Sequence, residues 1–499
     1  IHIYKGMKLA DILKSTAVCG EIPDTDCTNI EYDSRKARFG DLFVCLVGAK
    51  RDGHDFAMRA YDNGCRAFLC QRRLDLPADA VQVICADTRS ALASCAAEFY
   101  MHSADRLHII GITGTKGKTT TALLTAAILN ASGMNCAYIG SNGVIINGKH
   151  TETVNTTPES LELHHYFSLM VRSGVKYAVL EVSSQALGHH RTDGIPFEVT
   201  AFTNLSEDHI GEGEHPDFED YRRCKKRLFA DYGCKYMIYN ADDPAAKYMT
   251  DGCDAEKISY SLDPAADAVF TASSVEEYRT RTSLGVNFVC SIKNRMSKVP
   301  VSLMSPGKFS AYNGLCAIAI ASCFGIEPDF AASVLRRTPV QGRFEIVEGL
   351  ADRTFIIDYS HNGLSLTKAL ETLREYSPER LICLFGSVGG RTQCRRRELA
   401  EAAGKYADYS IITSDNPDFE APEDIIKDIA AAMPEGAHFE CIVNREDAIK
   451  RAVAMSRPGD IVLFAGKGHE TYQLVCGKKI PFSERGIILD FCEELSAVR

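Results

Sequence analysis

Residues 111–120 read Gly-Ile-Thr-Gly-Thr-Lys-Gly-Lys-Thr-Thr, between an apolar run at 107–110 and a helical stretch at 122–131. A strand that turns through glycines into a helix directs free backbone N–H groups and the positive end of the helix at one point, which binds phosphate. Lys118 would reach the terminal phosphates of a nucleotide, and the Thr119 hydroxyl would ligate Mg²⁺. The glycine spacing departs from the strict Walker form. A glycine-rich turn alone is usually only a turn, but the Lys-Thr-Thr and the flanking elements favour a nucleotide site.

The composition is that of an ordinary globular protein with a net negative charge. The 499 residues are 45% hydrophobic and 24% charged, with a formal net charge of −10, and a chain of this length forms about two to four domains. A nucleic-acid-binding protein would carry a basic face, so we expect no nucleic-acid partner. The longest apolar run, near 315–324, is too short to span a bilayer. Without a basic-then-apolar signal at the start, we expect a cytoplasmic protein with no membrane partner.

The cysteines predict packing rather than chemistry. There are nineteen of them, and no two stand in a Cys-x-x-Cys pair, so a zinc ribbon or a redox pair has no support. Many lie in apolar runs, where a free thiol behaves as a small hydrophobic side chain. We expect reduced core cysteines, as in cytosolic proteins.

The order of apolar runs predicts an α/β protein of three domains, 1–103, 104–341 and 342–499. The middle domain alternates strand and helix, which is typical of a mostly parallel sheet covered on both faces and, with the glycine turn, of a P-loop ATPase. A region at 269–303 is richer in Thr, Ser and Val and looks antiparallel. The last third suits a dinucleotide-fold-like domain. Because no Gly-x-Gly-x-x-Gly follows a strand there, a bound nicotinamide cofactor is not expected.

Polar residues follow several predicted strands, at the edge where parallel sheets bind ligands. Glu181 ends the strand at 177–181, beside the phosphate loop, and is a candidate Mg²⁺ ligand; a buried structural glutamate is the weaker alternative. Asp208 and His209 follow the next strand, but such a pair is more often a cap or a solvent-exposed pair. The helix at 217–229 carries five basic residues, and its periodicity alone indicates a solvated face.

Taken together, the motifs resemble those of the Mur ligases. In chain order they are Asp33-Ser34-Arg35, Gly114–Thr120, Asn155-Thr156-Thr157-Pro158, Glu181-Val182-Ser183-Ser184, Thr203-Asn204-Leu205-Ser206 with Asp208-His209, Tyr221 with Lys225, Asn313, Gly342-Arg343, Asp358-Tyr359 with His361, Asp415-Asn416-Pro417 and Gly466-Lys467-Gly468-His469-Glu470. The set is similar to the MurE type of the family, the UDP-N-acetylmuramyl-tripeptide synthetases. The resemblance extends from about residue 30 to 490.

The resemblance implies a three-domain ATP-dependent ligase. The first domain would hold the uridine nucleotide, the second ATP, and a mobile third domain the incoming amino acid. ATP would phosphorylate the free carboxylate of UDP-MurNAc-L-Ala-D-Glu, and an amine would attack the acyl phosphate to form an amide in peptidoglycan precursor synthesis. The implied cofactors are ATP and Mg²⁺, and we expect a monomer.

The resemblance also implies roles for residues. The catalytic residues would be Lys118, Glu181, His209 and Lys225, and Mg²⁺ would be held by Thr119, Glu181, His209 and Lys225, the last as N6-carboxylysine after carbamylation by CO₂. ATP would contact Gly114, Thr115, Lys116, Gly117, Lys118, Thr119, Thr120, Asn313, Arg343, Asp358 and His361. UDP-MurNAc-dipeptide would contact Tyr32, Ser34, Asn155, Thr156, Thr157, Ser183, His189 and Arg191. The amino acid would contact Arg391, Asp415, Asn416, Pro417, Asp418, Gly466 and Glu470.

Two positions depart from the family pattern. Gln185 stands where many relatives carry His, and both residues can donate a hydrogen bond. Asp418 stands where diaminopimelate-adding members carry an Arg that pairs with the distal carboxylate of the substrate. An Asp would repel that carboxylate and favour a distal ammonium. We therefore predict L-lysine, or a similar diamino acid such as ornithine, with meso-diaminopimelate as the alternative.

Two other classes of function are open from the sequence. One is a ligase acting on another carboxylate, similar to folylpolyglutamate or cyanophycin synthetases, against which the Asp33-Ser34-Arg35 and Asp415-Asn416-Pro417 motifs argue. The other is a nucleotide switch or a catalytically inactive partner protein. It lacks support because a guanine-specific Asn-Lys-x-Asp is absent and the ATP positions all carry competent residues.

Overall fold

The computed structural model describes residues 6–48, 51–211, 214–280, 283–390 and 393–497. It consists of two compact units. The first contains the chain up to Ser261 together with Ala266–Phe270 and Cys316–Glu327, and the second contains Leu262–Ala265, Thr271–Leu315 and the chain from Pro328 onward. The division into three domains stays a prediction. Over the described ranges, no helix combines the length and apolarity that a bilayer crossing requires.

The first unit is built from short strands and helices in alternation. Its strands are β1 (Met7–Lys8), β2 (Val18–Cys19), β3 (Asp26–Cys27), β4 (Asn29–Glu31), β5 (Asp41–Val44), β6 (Ala67–Cys70), β7 (Val81–Cys85), β8 (His108–Thr113), β9 (Cys136–Gly140), β10 (Gly143–Ile146), β11 (Lys149–Thr151), β12 (Tyr177–Glu181), β13 (Phe197–Phe202), β14 (Tyr236–Asn240) and β15 (Glu256–Ser261). Its α-helices are α1 (Leu9–Ile12), α2 (Ala57–Asp62), α3 (Thr88–Phe99), α4 (Lys118–Ala131), α5 (Ser160–Arg172), α6 (Ser184–Gly188), α7 (Phe218–Ala230) and α8 (Ala246–Thr250), with short 3₁₀ turns at Gly53–Phe56 and Ser103–Arg106.

Two larger sheets organise the described part of this unit, beside the antiparallel pair β1–β3. The smaller has the strand order β2-β7-β6-β5-β4, parallel from β4 to β7. In the larger, the order runs β11-β10-β9-β12-β8-β13-β14-β15, and the strands from β9 to β15 are parallel. Since β8 lies between β12 and β13, with Ile112 opposite Glu181 and Thr113 opposite Phe202, the glycine turn and the ends of both neighbouring strands meet at one sheet edge.

The elements of the remaining chain are β16 (Phe270–Arg279), β17 (Leu284–Ile292), β18 (Lys298–Leu303), β19 (Glu345–Val347), β20 (Thr354–Asp358), β21 (Leu381–Phe385), β22 (Tyr409–Ile412), β23 (Phe439–Cys441), β24 (Ile461–Ala465), β25 (Tyr472–Val475) and β26 (Lys478–Pro481), with α9 (Lys308–Ser322), α10 (Pro328–Leu335), α11 (Gly363–Glu375), α12 (Gln393–Tyr406), α13 (Pro422–Ala431), α14 (Arg445–Met455) and α15 (Glu484–Ala497). β17 and β18 are antiparallel, as the composition of 269–303 predicted.

The second unit has its own mostly parallel sheet, in the order β19-β20-β24-β21-β22-β23. β20, β24, β21, β22 and β23 are parallel, and only β19 runs against its neighbour β20. The core strands β20, β21 and β24 are fully buried, as expected for strands covered on both faces. The ends of β20, β22 and β24 lead into the polar loops 358–361, 413–418 and 466–470 at one edge of the sheet. A hairpin, β25–β26, follows β24.

Candidate active site

The phosphate loop has the strand–turn–helix form that its glycines predicted. Gly117 adopts a left-handed φ of 84° immediately before α4, and a Cβ on Gly114 would lie 1.9 Å from the Thr203 hydroxyl oxygen. Both positions therefore require glycine. The Lys118 ammonium is folded back over the loop and donates to the carbonyls of Gly114, at 2.8 Å, and Thr115, at 3.1 Å. This arrangement keeps a cation beside the helix N-terminus, where phosphate binds.

Lys225 reaches the same loop from α7. Its ammonium donates to the Gly114 carbonyl at 2.9 Å and lies 4.5 Å from the centre of the Tyr221 ring. The residue is 1% exposed, so the solvated surface that periodicity indicated for this helix is wrong at this position. Burial, followed by the neighbouring Lys118 charge, holds the pKa of Lys225 well below that of an ordinary lysine. A buried amine with a lowered pKa is a better nucleophile than a surface lysine because its free-base form is populated.

Glu181 is fully buried and its carboxylate is held by several donors. Oε2 accepts from the Thr119 hydroxyl at 2.9 Å and Oε1 accepts from the Tyr138 hydroxyl at 2.5 Å. Ser141 adds its backbone N–H at 3.0 Å and its hydroxyl at 3.3 Å. A Cβ on Gly140 would lie 2.1 Å from Oε1. A carboxylate and a hydroxyl side by side offer the hard oxygen ligands that Mg²⁺ prefers, and they stand directly beneath the phosphate loop.

His209 lies on the loop before α7 with a left-handed φ of 55°. Its Nδ1 is 3.2 Å from Glu214 Oε1, and its ring centre is 6.2 Å from that of Tyr221. The ring is half exposed, unlike Glu181. The structure therefore places His209 near the α7 residue Tyr221, while its side-chain hydrogen-bond partner is Glu214. Its role as a Mg²⁺ ligand stays a prediction.

The residue before it, Asp208, pairs with Lys116 across the loop. The two charged groups are 2.9 Å apart. Burial alone would raise the pKa of the Asp208 carboxyl, but the Lys116 ammonium and the neighbouring His209 together outweigh burial and lower it. Tyr221 donates to the Thr115 hydroxyl at 3.0 Å. These contacts fix the exposed side of the phosphate loop against the loop that carries His209.

His215, which the sequence interpretation passed over, links three parts of this site. Its ring is buried; Nδ1 is 2.7 Å from Asp220 Oδ2 and Nε2 is 2.9 Å from the Ser184 hydroxyl. Its backbone N–H donates to the His209 carbonyl at 3.0 Å. The histidine thus connects the first residue of α6, the loop carrying His209 and the first turn of α7.

The predicted substrate loop is linked to the Glu181 strand. The Thr157 hydroxyl donates to the Glu181 carbonyl at 2.8 Å and accepts from the Ser183 N–H at 3.0 Å. Arg191 donates to the Thr157 carbonyl at 3.1 Å and pairs with Glu159 at 2.8 Å. The Thr156 hydroxyl is 3.0 Å from that of Ser141. These predicted residues therefore form one network, with Ser183 also capping α6.

The other predicted uridine-substrate residues occupy separate settings in the same unit. Asn155 is half buried, and its carbonyl accepts from the Thr153 hydroxyl. Tyr32 donates to the Glu162 carboxylate, and the Ser34 carbonyl accepts from Asn63 at 2.7 Å. His189 is half buried with Nδ1 lacking a hydrogen-bond partner among the described residues. Burial, then the charges of Arg89 and Arg191, lowers its pKa to about 4.

In the second unit, three residues predicted for ATP, Arg343, Asp358 and His361, lie around the end of β20. The buried Asp358 carboxylate accepts from the N–H groups of Phe344 and Ser360, each at 2.9 Å. The Arg343 guanidinium carbon is 4.7 Å from the Tyr359 ring centre. His361 Nδ1 is 2.8 Å from the Tyr359 carbonyl, and burial lowers the pKa of this histidine. Asn313, on α9, is 7% exposed. Thr120, which was also predicted to contact ATP, belongs to the first unit and lies on the first turn of α4.

The amino-acid residues gather around a lysine that sequence reasoning left without a role. Lys467 is fully buried, and its ammonium donates to Asn416 Oδ1 at 2.5 Å, to Glu470 Oε2 at 3.1 Å and to the Tyr472 carbonyl at 2.7 Å. Asp415 Oδ1 lies 3.4 Å away. The Asn416 amide donates to Glu470 Oε2 at 2.9 Å. The acidic and amide side chains predicted to bind a substrate therefore already enclose a cation of the protein.

Asp418 holds the hairpin β25–β26. Its N–H donates to the Leu474 carbonyl at 2.9 Å, its carbonyl accepts from the Cys476 N–H at 2.7 Å, and its Oδ1 accepts from the Gly477 N–H at 2.7 Å. Its φ is 52°. One carboxylate oxygen is thus committed to the hairpin turn. Pro417 precedes it, with its carbonyl against Gly389. Arg391, predicted for the α-carboxylate of the amino acid, lies outside the described residues.

Arg445 is a further buried cation at this edge of the sheet. It pairs with Glu484, at 2.7 Å between Nη2 and Oε1, and both side chains are at most 2% exposed. Its Nη1 donates to the Ser414 carbonyl at 3.2 Å and its Nη2 to the Ala465 carbonyl at 2.9 Å. These carbonyls immediately precede Asp415 and Gly466. The φ of Gly466 is 112°, and a Cβ there would lie 2.7 Å from Asp415 Oδ2.

Sequence reasoning missed Tyr138, His215, Arg445 and Lys467. The polar motif at 466–470 was the one available signal, because a lysine directly after a fully apolar strand has little water to face. Tyr138 lay within an apolar run, and His215 and Arg445 stood among other charged residues.

Comparisons with known proteins agree along most of the chain. Three family domains match: "Mur ligase family, catalytic domain" over residues 26–100, "Mur ligase middle domain" over 112–321, and "Mur ligase, glutamate ligase domain" over 342–468.

Two curated relatives match almost end to end. The chain is 37% identical over 492 residues to a UDP-N-acetylmuramoyl-L-alanyl-D-glutamate--2,6-diaminopimelate ligase of Caldanaerobacter subterraneus subsp. tengcongensis, covering 98% of this chain and 99% of the relative. It is 36% identical over 495 residues to the ligase 1 of that name from Clostridium acetobutylicum, covering 98% and 100%. A solved structure described by the same enzyme name superposes with a TM-score of 0.69 at 27% identity, covering 99% of this chain and all of that one.

Proposed function

The chain belongs to the Mur ligase family, and from that premise we propose that it is an ATP-dependent ligase that joins an amino acid to UDP-MurNAc-L-Ala-D-Glu. The bond formed is an amide, and the product is a peptidoglycan precursor. The observation that carries the proposal is the phosphate loop, with the Nζ atoms of two lysines on the Gly114 carbonyl and the Thr119 hydroxyl bonded to the Glu181 carboxylate beside it.

The chemistry explains why such a site needs ATP. A carboxylate resists attack by an amine because its oxygen is a poor leaving group. Transfer of the γ-phosphoryl group to that oxygen gives an acyl phosphate, from which phosphate can leave. The amine nitrogen then attacks the acyl carbon, the C–O bond to phosphate breaks, and the amine loses a proton. Charge collects on the phosphoryl oxygens during transfer, where preorganised cations and N–H donors stabilise it.

The residues of the first unit fit these demands. The backbone of Gly114–Gly117 and the N-terminus of α4 would bind the phosphates, and Lys118 would leave its carbonyl partners to pair with the transferring group. Thr119 and Glu181 are the residues that would hold Mg²⁺, with His209 as a further ligand. The metal would supply neutralisation of phosphate charge. The network of Thr157, Ser183 and Arg191 would hold the peptide acid in place.

Lys225 would act in this proposal as a carbamate. Its amine nitrogen adds to the carbon of CO₂, forming a C–N bond and releasing one proton, so a cation becomes an anion that can ligate a second Mg²⁺. The lowered pKa of the amine supports this step because only the free base carries the required lone pair. Incubation with ¹³C-bicarbonate should give a carbamate carbon signal that Lys225→Met lacks. Equal signals in both proteins would contradict the modification.

The second unit would complete the reaction. Asn313, Arg343, Asp358 and His361 would contact ATP, and the loops at 415–418 and 466–470 would receive the amino acid together with Arg391. A division into a uridine-substrate domain at 1–103, an ATPase domain at 104–341 and an amino-acid domain at 342–499 is part of the same proposal.

For the amino acid we propose L-lysine or a similar diamino acid. The reason is Asp418, whose carboxylate would repel a distal carboxylate and attract a distal ammonium. meso-Diaminopimelate is the second candidate, favoured by the names of the curated relatives. The commitment of Asp418 Oδ1 to Gly477 leaves Oδ2 as the oxygen that a substrate ammonium would meet.

One experiment tests both levels of the proposal. Purified protein is given UDP-MurNAc-L-Ala-D-Glu, ATP, Mg²⁺ and a pool of candidate amino acids, and the product mass is measured. We expect addition of lysine and release of phosphate only when both the peptide acid and an amino acid are present. Selective addition of meso-diaminopimelate would overturn the choice of amino acid. Phosphate release in the absence of the peptide acid and the amino acids would overturn the proposed ligase activity.

A cytoplasmic monomer is the setting that we propose. All nineteen cysteines are free thiols, most of them buried, which suits a reducing compartment. ATP and the uridine-linked acid are the proposed partners, with no nucleic acid and no membrane. Gel filtration at micromolar concentration would test the monomer.

A further inference from the structure

Two buried cations stand at the amino-acid edge of the second sheet, and neither has a role in the reaction as proposed. Lys467 is enclosed by Asn416, Glu470 and the Tyr472 carbonyl. Arg445 is enclosed by Glu484 and by the Ser414 and Ala465 carbonyls. A buried charge is retained only where paired groups compensate its lost hydration, so each cation dictates where its partners lie.

The partners belong to the two loops that would receive the amino acid. Ser414 and Ala465 are the last residues before Asp415 and Gly466, so the Arg445 guanidinium links the two chain segments where these loops begin. Lys467 links the loops further along, because it bonds to Asn416 on one loop and to Glu470 on the other. The distances to Asn416 and Glu470 are 2.5 and 3.1 Å. Two anchoring points in each loop leave little freedom for its side chains.

The charge balance at this edge supports the same view. The ammonium of Lys467 already sits where Asp415 and Glu470 would otherwise meet a substrate ammonium. If these carboxylates were unpaired, they would repel each other and would attract any cation from solution. With Lys467 in place they are oriented by an internal partner before substrate arrives.

We propose that Lys467 and Arg445 are positioning residues that preorganise the amino-acid pocket by tying the 415–418 loop to the 466–470 loop. The inference rests on the proposed function, since it concerns the pocket for the incoming amino acid. Neither side chain touches substrate. Each acts through Asn416, Asp415 and Glu470, and a shift of about 1 Å in such groups costs roughly 100-fold in rate or binding.

The test compares the KM values for the three substrates between the wild-type protein and its variants. Lys467→Met keeps an unbranched side chain that extends as far as the lysine Cε and removes the ammonium donors. We expect the KM for the amino acid to rise roughly 10- to 100-fold, while the KM values for ATP and UDP-MurNAc-L-Ala-D-Glu stay within about twofold. Lys467→Arg should recover part of the loss because it restores a cation. An unchanged amino-acid KM in folded Lys467→Met would overturn the proposal.

A matched control separates positioning from stability. Arg380 pairs with the buried Asp460 at 2.6 Å, at the opposite end of β24. Arg380→Met therefore breaks a similar ion pair far from both loops, and it should lower the melting temperature without changing the amino-acid KM. An increase of that KM in the control equal to that in Lys467→Met would also overturn the proposal.

A second variant keeps the test decisive if Lys467→Met does not fold. Arg445→Met combined with Glu484→Met removes both charges of the buried pair, a replacement that proteins often tolerate. We expect a raised amino-acid KM, since the two carbonyls lose their common donor; a wild-type value would overturn the proposal. Wild-type protein is assayed alongside. If it shows no turnover dependent on the peptide acid and an amino acid, the proposed function fails, whereas normal wild-type turnover with unaltered variants rejects only the positioning role.

Discussion

The two compact units hold their inward-facing lysines in opposite ways. In the first, the half-buried Lys118 and the buried Lys225 both donate to the backbone carbonyl of Gly114, which carries no formal charge. In the second, Lys467 is enclosed by the side chains of Asn416 and Glu470 with Asp415 nearby. The first arrangement keeps lysine nitrogens beside the N-terminus of α4, where a polyanion binds. The second is balanced internally, because its carboxylates already face a lysine of the protein.

The largest expected effect removes the cation of the phosphate loop. Lys118→Met should lower kcat by about 1,000-fold or more, since it deletes a donor to the transferring phosphoryl group. Phosphate release under saturating substrates is the measurement. The exposed Lys235→Met serves as the control and should keep wild-type turnover. A kcat of Lys118→Met within tenfold of that of wild type would show that the Lys118 ammonium is not needed to stabilise the transferring phosphoryl group.

The second prediction separates function from stability at Lys225. Lys225→Met should lower kcat by about 100-fold or more through loss of the carbamate ligand, yet raise the melting temperature by a few degrees because it removes a desolvated amine. Lys226→Met on the same helix is the control, since Lys226 lies over the Tyr248 ring and should affect neither quantity strongly. A destabilised Lys225→Met would contradict this account of the buried amine.

The pH dependence of stability follows from the same residue. The folded-state pKa of Lys225 lies below its unfolded value, so the unfolded chain binds more protons between the two values. In CO₂-free buffer the destabilisation is therefore complete below the folded-state pKa and is relieved as pH rises toward 10.5, the value for an ordinary lysine. Denaturant titrations should show this slope in wild type and not in Lys225→Met.

The next prediction concerns Asp418, in the loops predicted to bind the amino acid. Asp418→Arg should shift the ratio of kcat/KM values toward meso-diaminopimelate and away from L-lysine by about tenfold or more, because it replaces a carboxylate by a carboxylate-binding cation. Asp418→Asn keeps an acceptor for the Gly477 N–H and tolerates a left-handed φ, so it isolates the effect of charge. An unchanged preference in both variants would show that this position does not select the amino acid.

The smallest expected effect is at Gln185. Gln185→His should change the KM for UDP-MurNAc-L-Ala-D-Glu by less than about threefold, because either side chain can donate one hydrogen bond. Ser183→Ala provides the contrast, since Ser183 caps α6 and bonds to Thr157. A larger effect from Gln185→His than from Ser183→Ala would show that the substrate loop is organised differently from this description.

Sequence reasoning succeeded where the signal is local. The turn at 114–117, the strand ending at Glu181 and a helix after the glycine turn each follow from a glycine, an apolar run or a short motif, although α4 begins at Lys118, before the predicted stretch at 122–131. It failed where a role depends on contacts between distant segments. Tyr138 and Glu181 are 43 residues apart, Ser184 and His215 are 31 apart, and Asn416 and Lys467 are 51 apart. Only the fold brings these pairs together.

Lys225 shows the same limit in its sharpest form. The helix at 217–229 has basic residues around its surface, and periodicity alone could not tell which of them faces inward. Tyr221, Cys224, Leu228 and Phe229 share the buried side with Lys225. The family resemblance singled out Lys225 among the basic residues. The structure shows why this one can face inward, since its Nζ donates to the carbonyl of Gly114.

Gly140 closes β9 against the Glu181 carboxylate, and that crowding limits how this gene can vary. A saturation library at this codon, selected for growth on the encoded activity, should return glycine alone, since even alanine would displace the acid from Thr119 and Tyr138. Substitution at this buried position is prevented by the one methyl group that alanine would add, so an inhibitor that relied on this acid would meet no resistance allele there.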